Sequence, residues 1–485
     1  MGVRLFFEFI QVAVGNRKSL SVSVTDADWQ RLFEFCKRQA LIGVGFTAVE
    51  KLHAIGVVCP AVLRMRWLAL ALQIEKRNAL LNEQCSQLAR KYEHDGLETC
   101  ILKGQGNCLN YPEGLRNRRQ CGDIDVWATP IYGRQHETNV CPREDGKGER
   151  ELSQIKRELK EICPQADGGI AIAVQTGKEE VEYVEYHGRK AVMEYVRMQH
   201  RLEGNIEKPV IRYHHIEAPK IDGTEVEVHF RPCYAHSPLR NWRMQRWFEE
   251  HADVCMKNKT HMGFAVPTAS VNVVYQMCHL FSHYFDEGIG LRQLMDYYFA
   301  LKVWHNDVME CKDLQTQGMW SEGLGTTVMS AQEVMAVIRS FGMGKFAGAV
   351  MWVLNEVLLM NDDRLLITDV VHTENTEGNG GPQADCFGER KLKRINRELK
   401  ENNFAPWMIC EPNEKEGKKL LEEIMKGGNF GQYDTRDAAL KKGGMIKHGL
   451  WKLKRVMRLV SSYPEEALLE PMFRVYHLFW RMING

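Results

Sequence analysis

Three common features are missing from this 485-residue sequence, and each absence excludes a class of protein. The basic and acidic residues nearly balance at a net charge of +1, which argues against a protein that coats nucleic acid. No apolar run reaches the roughly 18 to 20 residues of a membrane span; the best candidate, 347–360, is interrupted by Asn355 and Glu356. Cysteine pairs of the CxxC type are also absent, which excludes a zinc knuckle.

The sequence also indicates the cellular compartment of the protein. The apolar N-terminus carries Glu8 and Gln11 and lacks a small-residue cleavage site, so it does not fit a signal peptide. Phe6 stands where a myristoylation signal would have Ser or Thr. The 14 cysteines are scattered along hydrophobic segments, which is typical of reduced core thiols. We therefore expect a cytoplasmic protein without disulfides.

The stretch 102–127 contains the strongest functional signal. A strand ending at Lys103 and Gly104 is followed by a short helix, a basic turn and a second strand that carries Asp123 and Asp125. Because side chains alternate along a strand, both carboxylates point to one side while the apolar residues between them face the core. Two adjacent carboxylates are costly unless a cation binds to both, and Mg²⁺ prefers such a pair together with substrate phosphates. The pattern predicts a phosphoryl- or nucleotidyl-transfer site.

A second stretch, 225–231, has the clearest two-residue alternation in the chain. It is predicted to pair with the strand before it through a turn at Asp222 and Gly223. Its polar face is predicted to carry Glu225, Glu227, His229 and Arg231. A third carboxylate from this face could reach the same metal, and Glu227 is our choice, with Glu225 as the rival.

Several motifs together resemble a known family. They are LKG at 102–104, Tyr111 and Pro112, Arg116, GDIDVW at 122–127, EVEVHF at 225–230, HLFSH at 279–283, GLRQLMD at 290–296 and GGNFGQYD at 427–434. In combination they resemble a bacterial family of uncharacterised nucleotidyltransferases in the polymerase-beta superfamily. The resemblance implies an α+β fold: a polymerase-beta-like core with a mixed sheet, flanked by N-terminal helices and a large C-terminal helical region.

The resemblance also implies a reaction and roles for individual residues. A nucleoside monophosphate would pass from an NTP such as ATP to a hydroxyl of a small-molecule or macromolecular acceptor. Two Mg²⁺ ions would be held by three residues that also carry the catalysis: Asp123, Asp125 and Glu227. The residues expected to bind the nucleotide are Lys103, Gly104, Arg116 and His229. Arg118 and Arg119 are further candidates for binding the triphosphate, and an ordinary solvated turn is the alternative for these two.

The sequence departs from the superfamily at one place. Lys103, Gly104 and Gln105 stand where Gly-Ser or Gly-Gly is usual. This departure leaves a second function open, in which a degenerate member binds a nucleotide or a partner protein without turnover. A phosphotransferase that releases NDP instead of pyrophosphate is a third. The acceptor and the oligomeric state stay open, and the balanced charge disfavours nucleic acid as the acceptor.

We predict three parts: an N-terminal helical segment at 1–96, a nucleotidyltransferase core at 97–235, and a C-terminal helical domain at 236–485. Insertions are predicted at about 129–188 and about 368–408. These carry two similar segments, 148–161 and 388–401, that agree at 10 of 14 positions. Three residues of the helical part have no assigned role: His279 and His283 are four apart on one helix face, and Asp296 could complete a site with them or bond to a buried histidine. The glycine-rich loop at 427–431 could close over the active site.

Overall fold

The computed structural model describes residues 2–131, 169–175, 181–203, 209–316, 328–359 and 407–484. Most of these residues are helical, and a small mixed sheet lies among the helices. The two similar segments at 148–161 and 388–401 lie outside the described residues. Among the described helices, none has the length and apolar character needed to cross a membrane.

The helices before the sheet are α1 (Gly2–Val14), α2 (Asp26–Arg38), α3 (Ile42–Ala54) and α4 (Ala61–His94). The sequence of α4 contains no internal Gly or Pro, which is consistent with its length. Thr25 caps α2: its side chain accepts from the backbone N–H of Asp28, and the Asp28 carboxylate accepts from the Thr25 N–H. This reciprocal pair fixes where α2 begins.

The central sheet has four strands in the order β1 (Leu97–Ile101), β2 (Ile124–Pro130), β6 (Thr224–His229) and β5 (His215–Ile221). The β1–β2 and β5–β6 pairs are antiparallel, whereas β2 and β6 are parallel, so the predicted mixed sheet is confirmed. Two short helices, α5 (Gln105–Cys108) and α6 (Glu113–Arg116), connect β1 to β2.

The predicted hairpin of β5 and β6 is also confirmed. Asp222 and Gly223 form its turn with φ of +47° and +80°, and two successive positive φ angles match the right-handed twist of the flanking strands. On β6 the side chains of Val226 and Val228 are buried in the core, as the alternation predicted. The opposite face of β6 is therefore left for polar residues.

A separate two-stranded antiparallel sheet is formed by β3 (Gly169–Gln175) and β4 (Val181–His187). It lies within the region predicted as an insertion at about 129–188. The β-branched and aromatic residues of both strands are a sequence signal for these strands that was not used. Helix α7 (Gly188–Leu202) follows directly.

The remaining helices follow the sheet. They are α8 (Pro238–Glu250), α9 (Ala252–Lys257), α10 (Ala269–Asp286), α11 (Leu291–Thr316), α12 (Ala331–Ser340), α13 (Gly344–Leu358), α14 (Glu414–Gly427), α15 (Ala438–Lys441), α16 (Met445–Leu459) and α17 (Pro464–Asn484), with a 3₁₀ turn at Asn429–Gly431. A loop separates α16 from α17.

The N-terminal and C-terminal helices share one hydrophobic core, while the sheet packs on α4 and α7 in a second core. Hydrogen bonds also join the N-terminal helices to the C-terminal part of the chain. The amide of Gln11 donates to the carbonyl of Val357 over 3.0 Å, and that of Gln39 donates to the carbonyl of Ile424 over 3.1 Å. The N-terminal segment is therefore packed against the C-terminal helices. The division into three domains stays a prediction.

Helix α17 is attached to the rest of the chain by a buried ion pair. The Glu466 carboxylate lies 3.0 Å from Nδ1 of His236 and accepts the His236 backbone N–H over 2.7 Å. Burial raises the pKa of Glu466 and lowers that of His236, but the hydrogen bond and attraction between them outweigh burial. The pKa of Glu466 is consequently lowered from its usual 4.5, and that of His236 is raised from 6.5.

We expect Glu466→Gln to lower the free energy of unfolding by about 1–3 kcal/mol, because the His236 imidazolium loses a buried charged partner. The carboxylate stabilises the fold above pH 4.5 and ceases to do so as pH falls through its lowered pKa. The imidazolium stabilises the fold below pH 6.5 and ceases to do so as pH rises through its raised pKa. Urea denaturation of the wild type and Glu466→Gln at several pH values should therefore show the largest difference in the free energy of unfolding between pH 4.5 and pH 6.5.

The neighbouring Glu465 provides the control for this prediction. Its half-exposed side chain pairs with Arg240 at the surface, so Glu465→Gln should leave the denaturation midpoint unchanged. Arg240, Asp286 and Glu470 also act on the His236–Glu466 pair and are the same in both variants. Equal effects of the two substitutions would contradict the importance of the buried pair.

Candidate active site

A cavity of about 310 Å³ lies between the polar side of the central sheet and helices α10 and α11. Its walls include Lys103 and Asp123 from the β1–β2 connection, Asp125 from β2, and Glu227 and His229 from β6. The volume is near the lower end of the roughly 300–1,000 Å³ range of small-molecule sites. Gly104 is part of the same lining, so the structure brings six of the seven predicted site residues to one cavity.

The carboxylates occupy the positions that the alternation predicted. Asp125 on β2 and Glu227 on β6 are direct partners in the parallel register, so their side chains lie side by side. Asp123, just before β2, is exposed at the rim of the same cavity. Ile124 and Val126 are buried in the core of the sheet. Strand pairing therefore brings an acid from residue 227 beside the Asp-x-Asp motif.

Glu225, the rival for the third carboxylate, lies elsewhere. Its side chain is 71% exposed and forms an ion pair with Lys220 over 3.0 Å, outside the cavity. Glu227 is 28% exposed and lines the cavity. The geometry therefore distinguishes two glutamates that the sequence places on the same face.

Lys103 neutralises the buried carboxylate of Asp125. Its ammonium lies 2.7 Å from Oδ1 of Asp125, whose side chain is only 1% exposed. Burial by itself lowers the pKa of Lys103, but Asp125, Asp123 and Glu227 raise it further than burial lowers it. Lys103 is therefore a fixed cation among the carboxylates, consistent with the phosphate contact predicted for it.

His229 lies between the carboxylates of Asp125 and Glu227. Its Nε2 is 3.1 Å from Oδ1 of Asp125 and 3.6 Å from Oε2 of Glu227. Burial lowers the pKa of His229, yet the hydrogen bonds to the two carboxylates raise it overall. Its Nδ1 is buried and has no hydrogen-bond partner among the described residues.

Two further histidines lie in the cavity wall and were missed by sequence reasoning. His215 on β5 is opposite His229 in the antiparallel register, and its Nδ1 lies 3.4 Å from Oε2 of Glu227. Nε2 of His214 lies 3.1 Å from the same Nδ1. Burial lowers the pKa of both imidazoles, that of His215 to about 2. The adjacent pair at the start of a strand that pairs with β6 was the available signal.

The altered turn at Lys103–Gly104–Gln105 has a structural explanation. Gly104 has a φ of +54°, and a Cβ there would lie 3.2 Å from the carbonyl oxygen of Asp123, so the turn favours glycine. The Gln105 side chain is buried away from the cavity, where its amide donates to the side-chain oxygen of Asn82 and the carbonyl of Asn78. Gln105, which stands where the resemblance to the superfamily predicts Ser or Gly, therefore serves packing on α4.

The arginines of the basic turn are used for structure. Arg116 lies outside the cavity and donates to the carbonyl of Leu109 over 3.4 Å, so the structure does not bring it to the other site residues. Arg118 binds Glu50 and Glu75. Arg119 is buried at the cavity wall. The solvated turn considered for the last two is wrong for Arg119, because that side chain is only 4% exposed.

Asp296 on α11 is the partner of Arg119. It accepts from Nε and Nη2 of Arg119 over 2.6 and 2.7 Å, and from the Tyr111 hydroxyl over 2.6 Å. Neither role proposed for Asp296, completing a site with the two histidines or bonding to one, is correct. Both carboxylate oxygens are engaged in fixing the basic turn against α11.

His279 and His283 line the cavity from α10 with their rings 4.4 Å apart. Nδ1 of His283 lies 2.9 Å from the Glu287 carboxylate, whereas both ring nitrogens of His279 are buried without a partner among the described residues. Phe430 from the glycine-rich loop lies 4.9 Å from the His283 ring and reaches the same cavity. The loop is therefore at the site, and its closure stays a prediction.

Comparison with known proteins bears on the family. A family model described as uncharacterised nucleotidyltransferase matches residues 25–135 and 183–318, just over half of the chain. The chain belongs to this family. Membership in this nucleotidyltransferase family supports nucleotidyl transfer as the general function. No curated protein and no solved structure gives a significant match.

The nucleotidyltransferase match includes every predicted site residue from Lys103 to His229. It skips 136–182, inside the predicted insertion at about 129–188, and ends at 318, before the 427–434 motif that the resemblance included. The resemblance is thus confirmed for the family, and the match covers seven of the eight motifs. Bacterial origin, the polymerase-beta superfamily and its core fold stay predictions.

Proposed function

We propose that the protein is a Mg²⁺-dependent nucleotidyltransferase that moves a nucleoside monophosphate from an NTP to a hydroxyl of an acceptor not yet identified. The observation that carries the proposal is the pairing of Asp125 and Glu227 on adjacent parallel strands, with Asp123 at the rim of the same cavity. Family membership supplies the general reaction, and this arrangement of carboxylates supplies the site.

The donor atoms fit the proposed cation. Mg²⁺ binds carboxylate oxygens and leaves positions for water and phosphate oxygens, and the carboxylates in the lining of this cavity include two on adjacent parallel strands and one at the rim. Asp123, Asp125 and Glu227 would hold it. When bound, Mg²⁺ neutralises charge on the phosphates and on the leaving pyrophosphate.

The remaining steps belong to side chains of this protein. The acceptor hydroxyl oxygen forms a bond to the α-phosphorus, the bond to the pyrophosphate breaks, and the hydroxyl proton passes to a carboxylate oxygen of Glu227. Burial raises the pKa of Glu227, but hydrogen bonding to His229 and the charge of Lys103 lower it overall, which keeps the carboxylate ionised and able to accept a proton. The Lys103 ammonium, which contacts Asp125 in this structure, would bind a phosphate oxygen when the nucleotide enters.

Arg292 is a better candidate for phosphate binding than Arg116. It lines the cavity from α11, where one Nη donates to the carbonyl of Gln120 over 2.8 Å. Its Nε is buried with no partner among the described residues, and its guanidinium lies 5.3 Å from the centre of the Phe430 ring. A phosphate would satisfy the Nε donor, and Phe430 offers an apolar surface beside it.

Calorimetric titration with each NTP in the presence of Mg²⁺ tests the proposal. We expect Mg²⁺-dependent binding by the wild type and none by the Asp123→Ala/Asp125→Ala variant, because the nucleotide binds through the metal that these carboxylates hold. Pyrophosphate release should follow when the correct acceptor is supplied. Equal nucleotide binding by the double variant would show that the site lies elsewhere.

A second candidate function is binding of a nucleotide or a partner without turnover. One observation favours it: the Gln105 side chain points to α4, so this turn presents no side-chain hydroxyl to the cavity. Mg²⁺-dependent NTP binding without pyrophosphate or NDP release, over a broad set of acceptors, would support this function over catalysis. Release of NDP would identify a phosphotransferase instead.

A further inference from the structure

Three imidazoles converge at one end of the cavity. His214, His215 and His229 each offer a ring nitrogen, and these nitrogens all lie within 4.8 Å of one another. A second group, formed by Asp125, Glu227 and His229, meets the same criterion and shares His229 with the first. The two groups therefore form one continuous set of nitrogen and oxygen donors that spans β2, β6 and the start of β5.

The spacing of these donors indicates the coordination that they suit. In a tetrahedral zinc site with bonds of about 2.0–2.1 Å, neighbouring ligand atoms are about 3.3–3.4 Å apart. In an octahedral magnesium site the corresponding distance is about 2.9 Å. Oε2 of Glu227 lies 3.4 Å from Nδ1 of His215 and 3.6 Å from Nε2 of His229, so the mixed pairs are closer to tetrahedral spacing.

Two of the three histidines have a ring nitrogen without a hydrogen-bond partner among the described residues. Nδ1 of His214 and Nδ1 of His229 are buried with no hydrogen-bond partner among the described residues. Such an atom is costly unless a ligand binds to it. Nε2 of His214 and Nδ1 of His215, 3.1 Å apart, either share a proton or bind a common cation.

The charge of the cavity favours a divalent cation. At this end of the cavity, Asp123, Asp125 and Glu227 carry three negative charges, and Lys103 contributes one positive charge against them. A metal-bound imidazole is neutral, so each histidine ligand adds a donor without adding charge. A bound divalent ion would complete the balance, and imidazole ligands favour a transition metal over Mg²⁺.

We propose that His214, His215 and His229, together with the carboxylate of Glu227, bind one divalent transition-metal ion of the Zn²⁺ class. This site borders the carboxylates assigned to Mg²⁺ and shares Glu227 with them. The proposal does not rest on nucleotidyl transfer, because the metal is expected to bind in the absence of any nucleotide.

Cobalt is a suitable probe, since Co²⁺ replaces Zn²⁺ at nitrogen-rich sites and absorbs visible light there. We expect metal-free protein to bind one Co²⁺ per chain with visible absorption bands that Zn²⁺ abolishes and excess Mg²⁺ leaves intact. X-ray absorption of the Zn²⁺-loaded wild type should show scattering from imidazole rings. Displacement of Co²⁺ by Mg²⁺, or a spectrum with oxygen ligands alone, would overturn the proposal.

A matched pair of double variants locates the metal. His214→Ala/His215→Ala should weaken Co²⁺ binding by at least about 100-fold, the upper end of the loss seen when an outer-shell partner is removed. His279→Ala/His283→Ala removes the other histidine pair of the cavity and should leave Co²⁺ affinity unchanged. The reverse result would place the metal on α10 and refute the assignment. The absorption experiment on the wild type decides the matter if the first variant does not fold.

Failure of this proposal and failure of the proposed function are distinguishable. Asp123→Ala removes a rim carboxylate outside both donor groups, so it should keep Co²⁺ binding and lose Mg²⁺-dependent nucleotide binding. A wild type that binds Co²⁺ but no NTP would retain the metal site and lose the proposed function. A wild type that binds NTP but no Co²⁺ would do the opposite.

Discussion

Glu227→Gln is expected to reduce nucleotidyl transfer by about 100- to 10,000-fold, the range measured for loss of a positioned acid or base. The amide keeps the size of the side chain but cannot accept the hydroxyl proton or share a cation with Asp125, its partner on the adjacent parallel strand. Initial rates of pyrophosphate release measure the effect once an acceptor is known. Before that, Mg²⁺-dependent NTP affinity reports the lost metal ligand.

Glu225→Gln is the matched control because it makes the same chemical change two residues away on the same strand. Its side chain is exposed and pairs with Lys220, so activity and nucleotide affinity should be unchanged. Circular dichroism and the denaturation midpoint of both variants exclude misfolding as the cause. Similar losses in the two variants would show that strand β6, and not the cavity carboxylate, determines the effect.

Asp296→Ala is expected to lower the free energy of unfolding by about 3–5 kcal/mol, because it leaves a buried guanidinium without its counter-charge. Arg119 and Asp296 form a two-point ion pair whose side chains are each only 4% exposed, and the Tyr111 hydroxyl also loses its acceptor. A loss of this size is a large fraction of the roughly 5–15 kcal/mol that stabilises a typical domain. Urea denaturation followed by circular dichroism gives the value.

Two comparisons test the reason for that loss. Asp253→Ala removes an aspartate whose ion pair with Lys257 is exposed, and it should leave the denaturation midpoint unchanged. Arg119→Met/Asp296→Leu removes both buried charges and should be more stable than Asp296→Ala, since apolar residues of similar volume often replace a buried pair without loss. A double variant that is less stable than Asp296→Ala would show that lost packing, and not the unpaired charge, accounts for the effect.

Local alternation predicted the strands of the site and the direction of their side chains. The Asp-x-Asp pattern and the 225–231 alternation each concern neighbours along one strand, which is why Asp125 and Glu227 were found. Choosing Glu227 over Glu225 required the register of β6 beside β2, a contact between residues about 100 positions apart. The sequence gives no direct sign of such pairings.

The residues that were missed were missed for two reasons. The role of Asp296 depends on a distant contact, because its partner Arg119 lies 177 positions away. His214 and His215 lie beside His229 through the predicted hairpin of β5 and β6, so their signal was present in the sequence but was not used. Composition and spacing favoured the roles considered earlier for Asp296 and Arg119, because a basic turn is usually solvated. Helical periodicity did not predict that the N- and C-terminal helices share one core, because it identifies the apolar face of a helix but not the surface on which that face packs.

The wide separation of the residues around the cavity has a consequence during synthesis of the chain. The walls of the cavity come from segments that begin at Lys103 and end at Phe430. The parallel pairing of β2 with β6 can form only after more than 200 residues have been synthesised. Because the ribosome delivers these segments in order, the cavity is complete only after the glycine-rich loop has emerged. A nascent or prematurely terminated polypeptide therefore carries the Asp-x-Asp strand without a finished cavity.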